Sequence, residues 1–115
     1  MKYFTMDEFK CSHTGNVDMD QHFLTMLDEL RYRSGFPFVI TSGYRDPSHP
    51  IEAAKATPGT HARGIAVDIA CTDPFLRTRL LRQAMELGFT GIGVAKTFIH
   101  VDMRLDTARC WVYDH

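Results

Sequence analysis

The chain has 115 residues, 44% of them hydrophobic, and 13 Lys and Arg against 14 Asp and Glu give a formal net charge of −1. That is the length of a single small domain with one modest core. Its cations are scattered rather than blocked, which argues against nucleic acid or an anionic membrane as partner, and no apolar run approaches the ~20 residues of a transmembrane helix.

Met1-Lys2-Tyr3-Phe4-Thr5-Met6-Asp7-Glu8 turns acidic too early for a secretory signal. The expectation is a chain made in the cytoplasm that reaches any outside target after lysis, pore release or delivery by a particle. Cys11, Cys71 and Cys110 are widely spaced and odd in number. They predict free thiols rather than a disulfide framework or a zinc knuckle.

In chain order, residues 1–17 read as a partly ordered arm pinned by Phe4 and Phe9. Asp18 is placed to cap a helix beginning near Met19. Met19, Phe23, Met26, Leu27 and Leu30 form one helical face, and Gly35 is a natural stop. Phe36–Thr41, rich in aromatic and β-branched residues, predicts a strand. Residues 43–60 hold Pro47, Pro50 and Pro58 with Gly43 and Gly59, so they predict a long structured loop with one helical turn near Glu52–Lys55. A loop of that length in a small domain is commonly functional.

Gly64–Ala70 alternates, with Ile65, Val67 and Ile69 on one face and Ala66, Asp68 and Ala70 on the other. Asp73-Pro74 pairs a cap with Pro at the first helical position. The stripe Phe75, Leu76, Leu80, Leu81, Ala84 and Leu87 then predicts a second helix, ended by Gly88. Phe89–Ala95 and Phe98–Arg104 read as strands joined tightly around Lys96-Thr97, and Arg109–Tyr113 as a last edge strand. Together these predict an α+β fold: one domain with helices on one face of a small, mostly antiparallel sheet.

The residues that carry chemistry are His61, Asp68 and His100. Two imidazoles and a carboxylate form the ligand set of a zinc site that keeps a position open for water. Asp68 is the only polar residue of its strand, flanked by Ala66 and Ala70, and buried carboxylates are rare unless paired or metal-bound. His100, Asp102 and Arg104 share a strand face. The same spacing is also met by ordinary histidines and a capped or salt-bridged aspartate, so the triad alone does not decide the matter.

Further elements fall in order around it: the aromatic arm with Phe9, the helix segment Leu27-Asp28-Glu29-Leu30-Arg31, Ser42-Gly43-Tyr44-Arg45, His61 seven residues before Asp68, Gly91-Ile92-Gly93, and Phe98-Ile99-His100-Val101-Asp102. In this ordered set the chain resembles the zinc-dependent D-alanyl-D-alanine carboxypeptidase and L-alanyl-D-glutamate endopeptidase family. It is most similar to the short single-domain members of bacteria and their phages, some of which act as endolysins.

The resemblance implies a hedgehog/DD-peptidase-like fold and a monomer that degrades cell wall by cutting peptidoglycan stem peptides beside a D-amino acid. It implies zinc on His61, Asp68 and His100, with Arg45 polarising the scissile carbonyl and steadying the oxyanion. Asp102 is expected either as general base or as the acceptor that orients His100. Ser42, Tyr44, His49 and Trp111 are expected to line the substrate cleft.

The chain departs from its relatives at four places. Thr97 stands where some carry an acid, Gly59 replaces a frequent Ser, Pro50 replaces a frequent Asn, and Ala53-Ala54-Lys55-Ala56 replaces a Gly-Gly stretch. The Thr97 departure favours an alternative: a catalytically silent module that binds cell wall or a partner protein. A third reading is a zinc hydrolase of some other substrate.

Overall fold

The computed structural model describes residues 1–115. Its two long helices begin and end on residues chosen by backbone chemistry. Helix α1 spans Gln21–Ser34, capped by Asp20, whose side chain accepts the Phe23 N–H at 2.8 Å. The cap is therefore two residues later than Asp18. Asp20 is extended, and its N–H donates to the Gly64 carbonyl at 2.9 Å, so residues 18–20 stay outside the helix.

A single turn, α2, covers Pro50–Ala53. Helix α3 spans Pro74–Leu87, with the Asp73 carboxylate accepting from the N–H groups of Phe75 and Leu76, as the Asp-Pro pair predicts. Gly35 and Gly88 close α1 and α3 in the left-handed conformation.

The strands are β1 (Ile40–Ser42), β2 (Ala66–Ala70), β3 (Gly91–Val94), β4 (Phe98–Asp102) and β5 (Arg109–Val112). They form one sheet in the order β1-β2-β4-β3-β5, antiparallel throughout except for the parallel pair β3–β5. The α+β architecture with a mostly antiparallel sheet is thus present.

Strand β1 is shorter than the predicted Phe36–Thr41. Phe36 and Phe38 are buried, but in irregular chain, where their rings pack on each other at 5.1 Å and Phe38 meets Phe4 at 6.3 Å. Apolar burial rather than ladder pairing accounts for their composition.

One face of the sheet is apolar. Val67, Ile69, Ile92, Ile99 and Val101 pack against Phe23, Leu24, Leu27 and Leu30 of α1 and Leu80 and Ala84 of α3. Phe75 is an exception to the predicted stripe and is 79% exposed. Phe4 and Phe9 of the N-terminal arm are buried in the same core, and the Phe9 carbonyl accepts the Tyr44 N–H at 2.8 Å. No helix is long and apolar enough to cross a membrane. All three cysteines are free thiols, Cys11 and Cys71 buried and Cys110 exposed.

Candidate metal centre

Alternation along the strands sends every second side chain to the face away from the helices. On that face the register aligns one row across the sheet: Ser42 beside Asp68, Asp68 beside His100, His100 beside Gly93, and Gly93 beside Trp111. His61 reaches the same point from the end of the long loop. One donor atom from each of His61, Asp68 and His100 lies within 4.8 Å of the others, and all three residues are buried.

The outward nitrogens of both imidazoles are taken. His61 Nδ1 lies 2.8 Å from the Gly43 carbonyl. A carbonyl only accepts, so Nδ1 carries the hydrogen and Nε2 presents a lone pair, 3.3 Å from Asp68 Oδ1. His100 Nε2 lies 2.7 Å from Asp102 Oδ2, which leaves His100 Nδ1 as a lone pair 2.9 Å from Asp68 Oδ1. Three electron-pair donors thus face one another with no hydrogen between them in the neutral tautomers. A proton on one of the rings or a metal cation would satisfy such a set, and two nitrogens with one carboxylate oxygen suit zinc.

Charge around the triad follows the same logic. Burial pushes the Asp68 carboxyl up, but hydrogen bonds and charge from His100 and His61 outweigh it and hold the group well below the carboxylate range. Burial favours neutral His100, yet its contacts with Asp102 and Asp68 raise it.

Asp102 itself is fully buried. It accepts from Arg104 Nη2 at 2.6 Å and from Arg104 Nε at 3.0 Å, besides its contact with His100. Both its oxygens are therefore engaged inside the protein, and none faces the cleft. The carboxylate lies over Gly91, where any Cβ would occupy its place.

The metal-facing row opens into a cleft of about 300 Å³ lined by Arg45, Lys55, Thr60, His61, Asp68, Phe98, His100, Arg104, Trp111, Tyr113 and His115. One wall is aromatic. Trp111 packs on His100 at 5.2 Å, Tyr113 on Phe98 at 5.2 Å, and the Arg104 guanidinium sits 4.9 Å over Trp111. A Cβ at Gly93 would come within 2.7 Å of Trp111 Nε1 and 2.6 Å of Tyr113 Cε2, so the wall stands directly on bare backbone. Burial raises the Tyr113 phenol despite its hydrogen bond with Trp111, so it stays protonated at neutral pH. Arg45 and Lys55 stand in the same lining as cations.

Of the expected substrate residues, Trp111 borders this cleft. Ser42, Tyr44 and His49 instead border a neighbouring groove of about 290 Å³, and Arg45 lines both. Ser42 Oγ lies 3.3 Å from Arg45 Nη2, and His49 Nδ1 accepts the Ile51 N–H at the start of α2. Thr97 lines neither, and Asp68 is the only carboxylate in the metal cleft.

Sequence reasoning passed over Glu52, whose side chain is 1% exposed and paired with Arg45. A lone acid three residues before Lys55 was the available signal. Lys55 and His115 were also not singled out as cleft residues, whereas Tyr113 could be read either as edge packing or, with Trp111, as one wall of the cleft.

No curated protein matches the chain. The family model of peptidase M15 matches residues 2–102, a span that holds all three candidate ligands together with Arg45 and Asp102. Matched over most of its length, the chain belongs to the peptidase M15 family, whose members are zinc-dependent peptidases.

Proposed function

We propose that the protein is a zinc peptidase that hydrolyses peptidoglycan stem peptides at a bond flanking a D-amino acid, as a carboxypeptidase or as an endopeptidase of the L-Ala-D-Glu bond or a cross-link. The observation that carries this reading is the pair of pre-oriented imidazoles, which aim free lone pairs at Asp68 on the floor of an open cleft. His61, Asp68 and His100 would hold the zinc, which would supply Lewis acidity toward a carbonyl and toward water.

The chain's own groups do the rest. The Gly43 carbonyl and Asp102 fix the two ring orientations, and against its burial His100 and then Arg104 hold the Asp102 carboxyl below its ordinary value. Of the two roles expected of Asp102, its full burial favours orienting His100 over taking a proton from water. Arg45 offers a guanidinium to the carbonyl oxygen as charge grows there, a contribution on the order of 3 kcal/mol for one such donor. Trp111 and Tyr113 border one side of the bound peptide. Ser42, Tyr44 and His49 meet it where the neighbouring groove continues past Arg45.

A silent binding module is the competing reading, favoured by the absence of a free carboxylate in the cleft beyond Asp68. The test measures bound zinc, then release of D-alanine or cleaved stem peptide from purified peptidoglycan. Wild type should bind zinc and release product, and His61→Ala should do neither. Asp102→Asn should bind zinc roughly 10- to 100-fold more weakly and recover turnover at saturating zinc. Zinc-loaded wild type that binds peptidoglycan of every chemotype and releases nothing would overturn the peptidase reading in favour of the module.

A further inference from the structure

Glu52 is the one buried carboxylate outside the metal-centred chain of contacts. It sits on α2, in the middle of the long loop. Its Oε1 accepts the Gly59 N–H at 2.8 Å. Its Oε2 accepts from Lys55 Nζ at 2.9 Å and from Arg45 Nη1 at 3.2 Å. A Cβ at Gly59 would come within 2.7 Å of Lys55 Nζ and 3.2 Å of Glu52 Oε1, so the backbone reaches the carboxylate because residue 59 has no side chain. Lys55 and Arg45 both line the metal cleft.

We propose that Glu52 is a positioning residue that holds the Arg45 guanidinium over the metal cleft. Arg45 is fixed from three sides. Glu52 takes Nη1, Ser42 Oγ takes Nη2, and the Arg45 backbone N–H donates to the carbonyl of His61, itself a candidate ligand. A guanidinium has five N–H donors, so two such contacts leave others free for a ligand. The long, flexible Arg side chain otherwise samples many rotamers, and a displacement of about 1 Å from the reacting carbonyl can cost on the order of 100-fold in rate. Buried ion pairs contribute little net stability, so orientation is the better account of a desolvated carboxylate at this place. Because Glu52 binds both cleft cations and the loop backbone beside His61, it also ties the two ends of residues 45–61 together.

This inference rests on the reading of Arg45 as the group that steadies the oxyanion. The test uses the full zinc-loaded chain with a stem-peptide substrate, and compares Glu52→Gln, the shorter Glu52→Asp, Arg45→Ala and the double variant Arg45→Ala with Glu52→Gln. Glu52→Gln should lower kcat about 30- to 100-fold with KM and zinc content nearly unchanged, and Glu52→Asp should fall between it and wild type. The double variant should be no slower than Arg45→Ala alone, because Glu52 acts only through Arg45.

A second readout needs no turnover: the ¹⁵N spectrum of the arginine side chains in zinc-free protein. Arg45 should give a sharp, slowly exchanging Nε–H signal in wild type that broadens in Glu52→Gln and Glu52→Asp. Wild-type kcat and an unchanged Arg45 signal in either variant would overturn the proposal, as would a Glu52→Gln loss that persists undiminished in the Arg45→Ala background. If wild type turns over no peptide, the proposed function fails by itself, and the Arg45 signal alone decides whether Glu52 holds the guanidinium.

Discussion

Glu52 shows what a single buried charge does to the acid stability of a small domain. Burial pushes its carboxyl up, and Lys55, the Gly59 N–H and Arg45 outweigh that, so it titrates below the usual range. The unfolded chain, with a glutamate near about 4.3, takes up the proton first as pH falls. Stability from Glu52 is therefore complete above about pH 5 and is lost as pH drops toward the folded value. The gap in melting temperature between metal-free wild type and Glu52→Gln should be widest near about pH 6 and narrow as pH falls below about 4. A gap independent of pH would show that the charge contributes nothing an amide does not. That His61, Asp68 and His100 come together was legible in the sequence, because a candidate ligand set has a composition and a spacing. Glu52 was not, because only Lys55 is a local partner, three residues on, while Arg45 and Gly59 lie seven residues away on either side, where no period marks a contact.

At the scale of elements, local rules did well where one residue suffices and poorly where burial is shared. Asp73-Pro74 and Gly88 bound α3 as predicted. Asp18 lost its expected cap role because Asp20 is extended and its N–H makes a tertiary hydrogen bond to Gly64. Phe36 and Phe38 read as strand because irregular chain under an aromatic arm and a sheet strand bury the same side chains. The parallel placement of β5 against β3 had no local signature at all, although it supplies the aromatic wall. Strand β3 carries a sharper demand, since the Asp102 carboxylate lies where a Gly91 side chain would be. Gly91→Ala should destabilise the fold by about 1–3 kcal/mol. It should also weaken zinc binding by moving Asp102 off His100. Urea unfolding and a zinc titration check both, and wild-type values in each would mean the carboxylate has room to shift.

For the whole molecule, the three candidate ligands arrive from a loop and two strands that meet only when β2 pairs with β4. A metal at this point therefore binds the folded chain and has no equivalent site in the unfolded one. At a free zinc level a hundredfold above Kd it should add about 2.7 kcal/mol of stability. For a chain of this size that raises the melting temperature by roughly 10 °C. Thermal scans with zinc and with chelator measure the shift, and His61→Ala should show none. An equal shift in that variant would place the bound metal elsewhere. The ligand row and the aromatic wall also belong to different parts of the chain. His61, Asp68 and His100 lie within the residues shared with the family, whereas Trp111 and Tyr113 come from edge strand β5 and the residue after it, past residue 102 where that match ends. An edge strand leans on one neighbour only. Residues 109–113 are thus the natural place to graft a different wall from another sequence, recasting what the cleft prefers while the ligands stay where they are.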